Sequence, residues 1–288
     1  MAFRIEQRGG DFWARPAGGS PFFVGRRVRY AAQIGLCNIV PGAPPPRPAF
    51  VARNYAPDIG LWAQVMAPTI ACEGGSFTAF NSYDRARFTF GIGQFAAHVP
   101  DGPFVGLMRR LLTLAEVQPF FPMLTLRDGR ICRTHSTGVM PLESPRSTAR
   151  LMLWMNPRRN AIDGAEVDMA ARLIHVTRQY RTARLAQIRE MMMAFRRYLR
   201  RAAGRLPLDG RPASQCCVLA DLMHHGRAGR SLWHHAGAAL AARDPLAALL
   251  AIGADQWPGR VRQLRRAIMA DAALAQIHWQ SAHQDFAA

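Results

Sequence analysis

Apolar positions change their spacing several times along this chain, and each change marks an expected element. Over residues 1 to 57 no period holds. Gly9-Gly10, Gly18-Gly19 and the Pro44-Pro45-Pro46 run interrupt any helix, and the prolines favour polyproline II. Phe12, Trp13, Phe22, Phe23, Val24 and Tyr30 are too apolar for a free tail, so 1–57 is expected as an extended N-terminal arm packed on the body. From residue 57 to 72, Ile59, Trp62, Val65, Met66 and Ile70 recur at helical spacing, with Asp58 as a cap and Pro68 as a kink or restart. Gly74-Gly75 ends that helix. Residues 76–95 then interleave Phe77, Phe80, Tyr83, Phe88, Phe90, Ile92 and Phe95 with turn formers, which predicts a small twisted hairpin.

Helical spacing returns over 104–118 and dominates the second half, in segments near 146–155, 163–204, 214–225, 231–242, 244–253 and 258–280. Gly204, Gly226, Gly253 and Pro258 stop these segments, and Asp163 and Asp244 start two of them. The expected fold class is mainly α with a small β-hairpin element, with residues 58–288 as one helical domain carrying a C-terminal helical extension.

Composition narrows the class of protein. With 288 residues and 49% apolar content, the chain can bury a full-sized core, which excludes a disordered chain. No stretch reaches the roughly 20 apolar residues that span a bilayer. Met1-Ala2-Phe3-Arg4-Ile5-Glu6 lacks the apolar core of a signal peptide, so synthesis as a soluble cytoplasmic chain is expected, with a separate route of delivery if it acts outside. A net charge of +18 draws polyanions, either nucleic acid or the anionic polymers of a cell wall. All of the basic charge is arginine, a bias that GC-rich coding also produces. Cys37, Cys72, Cys132, Cys216 and Cys217 show no C-x-x-C spacing and read as reduced, mostly buried residues rather than zinc ligands.

The chemistry concentrates between Cys72 and Phe95. A carboxylate such as Glu73, at the C-terminal end of an apolar helix, meets two pressures that favour its protonated form: partial burial and the negative end of the helix dipole. A general acid for glycoside cleavage needs that form near neutral pH. Asp84 and Thr89 follow on the hairpin, which can fold back across the helix end. Asp84 reads equally as a turn residue capping its own backbone.

In order, Glu73-Gly74, Asp84, Thr89 and Gly91-Ile92-Gly93-Gln94 resemble the active-site segment of the lysozyme superfamily, nearest to phage-type lysozymes. The Gly-x-Gly-Gln ending is also similar to goose-type lysozymes and lytic transglycosylases. The resemblance covers about 25 residues closely. It implies a lysozyme-like α+β fold, no cofactor and no metal, and cleavage of the glycan strands of bacterial peptidoglycan. Glu73 would be the general acid, and Asp84 with Thr89 would position water. If Asp84 stands apart, the resemblance implies a single-glutamate transglycosylase, in which the sugar's own 6-hydroxyl attacks. Asn81, Tyr83 and Gln94 are candidate sugar contacts, and Asp221 and Arg227 candidates for the far wall of the glycan cleft. The implied setting is a phage lysin or a toxin delivered to rival cells, with a delivery or immunity partner.

Other features carry bland readings beside sharper ones. His98 is a cleft or cap residue. His224, His225, His234 and His235 invite a metal, but adjacent histidines on a helix point about 100° apart. The series Arg178, Arg181, Arg184, Arg189, Arg196, Arg197, Arg200 and Arg201 is either a solvated basic face or a surface for anionic polymers. The alternative to the enzyme is therefore a catalytically inactive lysozyme-fold basic module that binds cell wall or nucleic acid.

Overall fold

The computed structural model describes residues 2–40 and 46–288, so Pro44 and Pro45 of the expected polyproline run lie outside the described residues. Four strands come first: β1 (Phe3–Arg8), β2 (Asp11–Pro16), β3 (Phe22–Tyr30) and β4 (Gln33–Cys37). Helices α1 (Ala56–Ile59) and α2 (Trp62–Cys72) precede three two-residue strands, β5 (Phe80–Asn81), β6 (Thr89–Phe90) and β7 (Phe95–Ala96). After α3 (Pro103–Leu112) come β8 (Leu124–Arg127), β9 (Arg130–His135) and β10 (Gly138–Pro141). Then follow α4 (Ala149–Met155), α5 (Gly164–Gln179), α6 (Arg181–Ala203), α7 (Ala213–His225), α8 (Leu232–Leu240), α9 (Pro245–Ala251) and α10 (Pro258–Met269). The hairpin of β11 (His278–Gln280) and β12 (Asp285–Ala287) closes the chain.

The expected class, mainly α with a small hairpin, is corrected by this inventory. Helix accounts for 44% and strand for 20%, an α+β protein. Among the described residues, β1 to β7 form one seven-stranded antiparallel sheet in sequence order, beside a three-stranded and a two-stranded sheet. The glycines that read as helix breakers are hairpin turns: Gly9-Gly10 joins the paired Arg8 and Asp11. Between turns the side chains alternate, with Phe12, Ala14, Phe22, Val24, Ile34 and Leu36 buried. The strands are short and their outward positions carry arginine, which hid the period of two. Asp128-Gly129, between the paired Arg127 and Arg130, was a legible hairpin signal for β8–β9. The expected helix over 163–204 is two helices, broken at Tyr180 (φ −109°, ψ 124°). Arg184 Nη1 donates to the Thr177 and Arg178 carbonyls at that break, satisfying the end of α5.

The chain divides into two compact units, Met1–Ala49 with Gly74–Glu190, and Phe50–Glu73 with Met191–Ala288. In the first, side chains substitute for sheet bonds where β4 meets β5. Asn38 Nδ2 donates to the Thr78 carbonyl at 2.7 Å, and its Oδ1 accepts from Phe80 N at 2.8 Å. Gly35 is there because a Cβ would lie 2.6 Å from the Ser82 carbonyl carbon. The buried Glu166 closes a capping box with Asp163 at the start of α5. Its Oε1 accepts from Leu36 N at 3.2 Å and from the Ser82 hydroxyl, so one carboxyl ties α5 to the sheet.

In the second unit, α2 packs against α7 and α10, and α9 against α7 and α8. The α2 helix passes through Pro68 without a break. Trp62 meets Phe286 edge-on at 5.1 Å and carries the Arg196 guanidinium at 5.4 Å. Among the described residues no helix is long and apolar enough to cross a membrane.

Burial pushes the Glu166 carboxyl from 4.5 up to about 7, against its hydrogen bonds from Ser82, Asp163 and Leu36. The folded state therefore holds this proton more tightly than the unfolded chain. Its contribution is full at low pH and declines between about 4.5 and about 7. In urea unfolding of wild type and Glu166→Gln, the difference in stability should change by about 3 kcal/mol between about pH 4 and about pH 8. A difference that stays constant with pH would show that Glu166 carries no such proton.

Candidate functional site

Glu73 caps α2, its backbone N–H donating to the Thr69 and Ile70 carbonyls at 3.0 and 3.1 Å. Its side chain is 14% exposed, so the expected partial burial is present, and an arginine has been added to it. Arg260 Nη2 donates to Glu73 Oε1 at 2.7 Å, and His224 Nε2 stands 3.5 Å from the same oxygen. Among the described residues no group bonds Oε2.

Arg260 also grips Asp221 with two bonds, Nη2 to Oδ1 at 2.7 Å and Nε to Oδ2 at 3.3 Å. Arg227 donates to Asp221 Oδ2 from the other side and to the Ile252 carbonyl at 3.2 Å. Two carboxyl groups and two guanidiniums thus form one hydrogen-bonded chain, Arg227–Asp221–Arg260–Glu73, all within the second unit. The Asp221 and Arg227 side chains were expected on a cleft wall; both are fully enclosed and paired with each other. Burial alone would raise the Asp221 carboxyl, but the bonds and charges of Arg260 and Arg227 outweigh it and hold it below its ordinary value. Burial pushes the neighbouring Cys72 thiol up to about 12, so it stays a neutral thiol. His224 lies beside the Phe195 and Tyr198 rings, with its Nδ1 buried and unpartnered among the described residues.

The remaining candidates lie in the first unit, on β5 to β7. Asn81 pairs with Thr89 across the ladder, and Asn81 Nδ2 donates to Gln94 Oε1 at 2.8 Å. Asn81 Oδ1 and Thr89 Oγ1 are buried with no hydrogen-bond partner among the described residues. Two unfilled acceptors side by side are unusual in a protein interior. Gln94 itself has φ of 44°, a left-handed conformation that costs a non-glycine residue energy. Gly91, at φ 88°, holds the turn beneath it, where any Cβ would collide with Gln187 Oε1. That oxygen accepts from Ile92 N at 3.1 Å, and Gln187 Nε2 donates to the Phe77 carbonyl at 3.0 Å.

Asp84 sits in the β5–β6 loop, where its Oδ1 accepts from Ala86 N at 2.8 Å, the turn-capping geometry. The Tyr83 ring lies 6.0 Å from that of Tyr30. Burial and the charge of Arg85 lower the pKa of His98. His234 and His235 are exposed, and among the described residues no group of three or more His, Cys, Asp or Glu side chains is arranged to hold a metal.

No family model, curated protein or solved structure matches the chain. The likeness to phage-type lysozymes is thus a likeness of residues, carried by Glu73, Asp84, Thr89 and Gly91-Ile92-Gly93-Gln94.

Arg260 and Gln187 are the residues that sequence reading missed. Arg260 is in register with Leu264 and Ile268, and Gln187 with Ala183 and Met191, all buried. A polar residue on the apolar stripe of a helix was the available signal. Removing Asp221 strands two buried guanidiniums. Asp221→Ala should therefore lose about 3–5 kcal/mol in urea unfolding. A loss below about 1 kcal/mol, the range of exposed pairs, would mean the chain of charges is not enclosed.

Proposed function

We propose that this protein is a glycosidase that cleaves the glycan strands of bacterial peptidoglycan, with Glu73 as the general acid. The observation that carries the proposal is the asymmetric tethering of Glu73: Arg260 and His224 both address Oε1, while Oε2 is left unbonded among the described residues. One oxygen fixes the carboxyl group in place and the other is free to deliver a proton. In this role Glu73 protonates the glycosidic oxygen as the bond to the anomeric carbon breaks. Arg260 is a positioning residue, and Asp221 positions Arg260. His224 is a second positioning residue, its Nε2 3.5 Å from Oε1.

In the first unit, Thr89 and Asn81 leave buried acceptors unfilled, a place for a bound water, and Gln94 holds Asn81 in place. By the resemblance, Asp84 would activate the attacking water, and the product would be a reducing sugar of inverted configuration. The turn-capping bond of Asp84 to Ala86 N favours a second course, in which the 6-hydroxyl of the sugar attacks and an anhydro product leaves. The wall is the proposed site of action, reached by release from a phage-infected cell or by a secretion apparatus.

Purified peptidoglycan incubated with wild type and Glu73→Gln, with the muropeptides resolved by mass spectrometry, tests this directly. The variant should lose at least about 100-fold in turnover, the usual contribution of a positioned general acid. Reducing ends assign hydrolysis, and anhydro ends assign the transglycosylase course. Equal release by both proteins, or none by either, would dismiss Glu73 as the acid.

A further inference from the structure

Two stretches of the second unit, 191–208 and 226–242, contain no aspartate or glutamate. The first carries Arg196, Arg197, Arg200, Arg201 and Arg205. Arg196 is committed to Asp285 at 3.1 Å and to the Trp62 ring. Arg197, Arg200, Arg201 and Arg205 are exposed, and none forms an ion pair among the described residues. Arg197 and Arg201 lie one turn apart near the end of α6, about 6 Å along its axis, and Arg205 stands two residues past the end of the helix. Like charges at this spacing repel by a few tenths of a kcal/mol per pair, which the negative end of the helix only partly offsets.

An ordinary solvated basic face would leave these side chains loose. Instead the Arg201 and Arg205 guanidiniums stand 5.4 and 5.2 Å from the centre of the Trp233 ring, on the neighbouring α8. Leu206 packs beneath, 3.6 Å from where a Cβ on Gly237 would stand. The ring restrains two planar forks before any ligand arrives, which lowers the entropy lost on binding. It also determines the kind of ligand. With two guanidiniums on its ring, Trp233 is not a free platform for stacking bases, the usual device for single-stranded nucleic acid.

We infer that Arg197, together with Arg201 and Arg205 braced on Trp233, forms a surface that binds a phosphodiester polymer of the bacterial wall. The choice of a wall polymer rests on the glycosidase reading; the anionic, repeating character of the ligand rests on the arginines alone. Successive phosphates on an extended strand each meet one guanidinium, displacing the counterions that surround the polymer.

Co-sedimentation of full-length Glu73→Gln protein with insoluble walls tests this, using walls that carry polyol-phosphate polymer and the same walls stripped of it by hydrofluoric acid. Retention should require the polymer and fall roughly 20-fold between about 50 and about 200 mM salt, as expected for three neutralised phosphates. Adding Arg201→Gln and Arg205→Gln together should weaken retention about 10-fold and flatten the salt dependence by about two charges. Arg197→Gln, which touches no ring, should give a smaller loss in the same direction. Equal retention on stripped walls would overturn the surface, as would unchanged retention in the double variant with an unaltered melting temperature. So would tighter binding to a single-stranded DNA oligonucleotide than to the polymer. Sedimentation needs no turnover, so a protein that binds polymer yet releases no muropeptides sinks the enzyme and leaves the surface standing.

Discussion

A charge withdrawn from water has to meet its opposite, and in the second unit that requirement governs where the polar residues stand. Asp221 is fully enclosed, and an isolated carboxylate there would be prohibitively costly. Arg227 and Arg260 neutralise it from two sides, and Arg260 keeps one donor for Glu73. The guanidinium suits this task because its donors lie in one rigid plane; a lysine ammonium would not span two carboxylates with the same definition. The position of Glu73 is thus decided by helices that come nearly 150 and 190 residues later in the chain.

The first unit solves the same problem with neutral groups. Asn38 and Gln187 act as pieces of backbone, offering an acceptor and a donor where the sheet and its turns have none. Glu166 joins this scheme by keeping its proton, which lets a carboxyl sit fully buried without a cation. Asn81 and Thr89, by contrast, leave buried acceptors unfilled directly opposite each other on one pair of strands. Both kinds of site follow one logic: polar atoms already in use hold the structure, and those left unused are offered to something else. Arginine divides in the same way, enclosed at Arg227 and Arg260 and exposed along the end of α6.

Much of the candidate site was legible in the order of residues alone. The end of α2 at Glu73, the hairpin strands around Thr89 and the Gly91 turn all follow from glycine placement and apolar spacing within 25 residues. Helix existence in the second half was equally legible, because apolar residues three and four apart over ten or more positions make one continuous stripe only on a helix. The N-terminal sheet was not. Its strands of five to nine residues pair through hairpins whose glycines also read as helix breakers, and arginine on their outer positions blurs the alternation. The break at Tyr180 was hidden too, since apolar spacing continues across it.

Sequence by itself thus determined the local periods, the stops, and the residue types gathered around Glu73. Only the tertiary structure decided the partners: that Asp221 and Arg227 lie inside rather than on a wall, that Arg260 holds Glu73, and that Asp84 caps its own turn. Periodicity is a property of neighbours along the chain and can be read from them. Charge pairing and burial are properties of neighbours in space, and no local pattern around Glu73 could name an arginine 187 residues away.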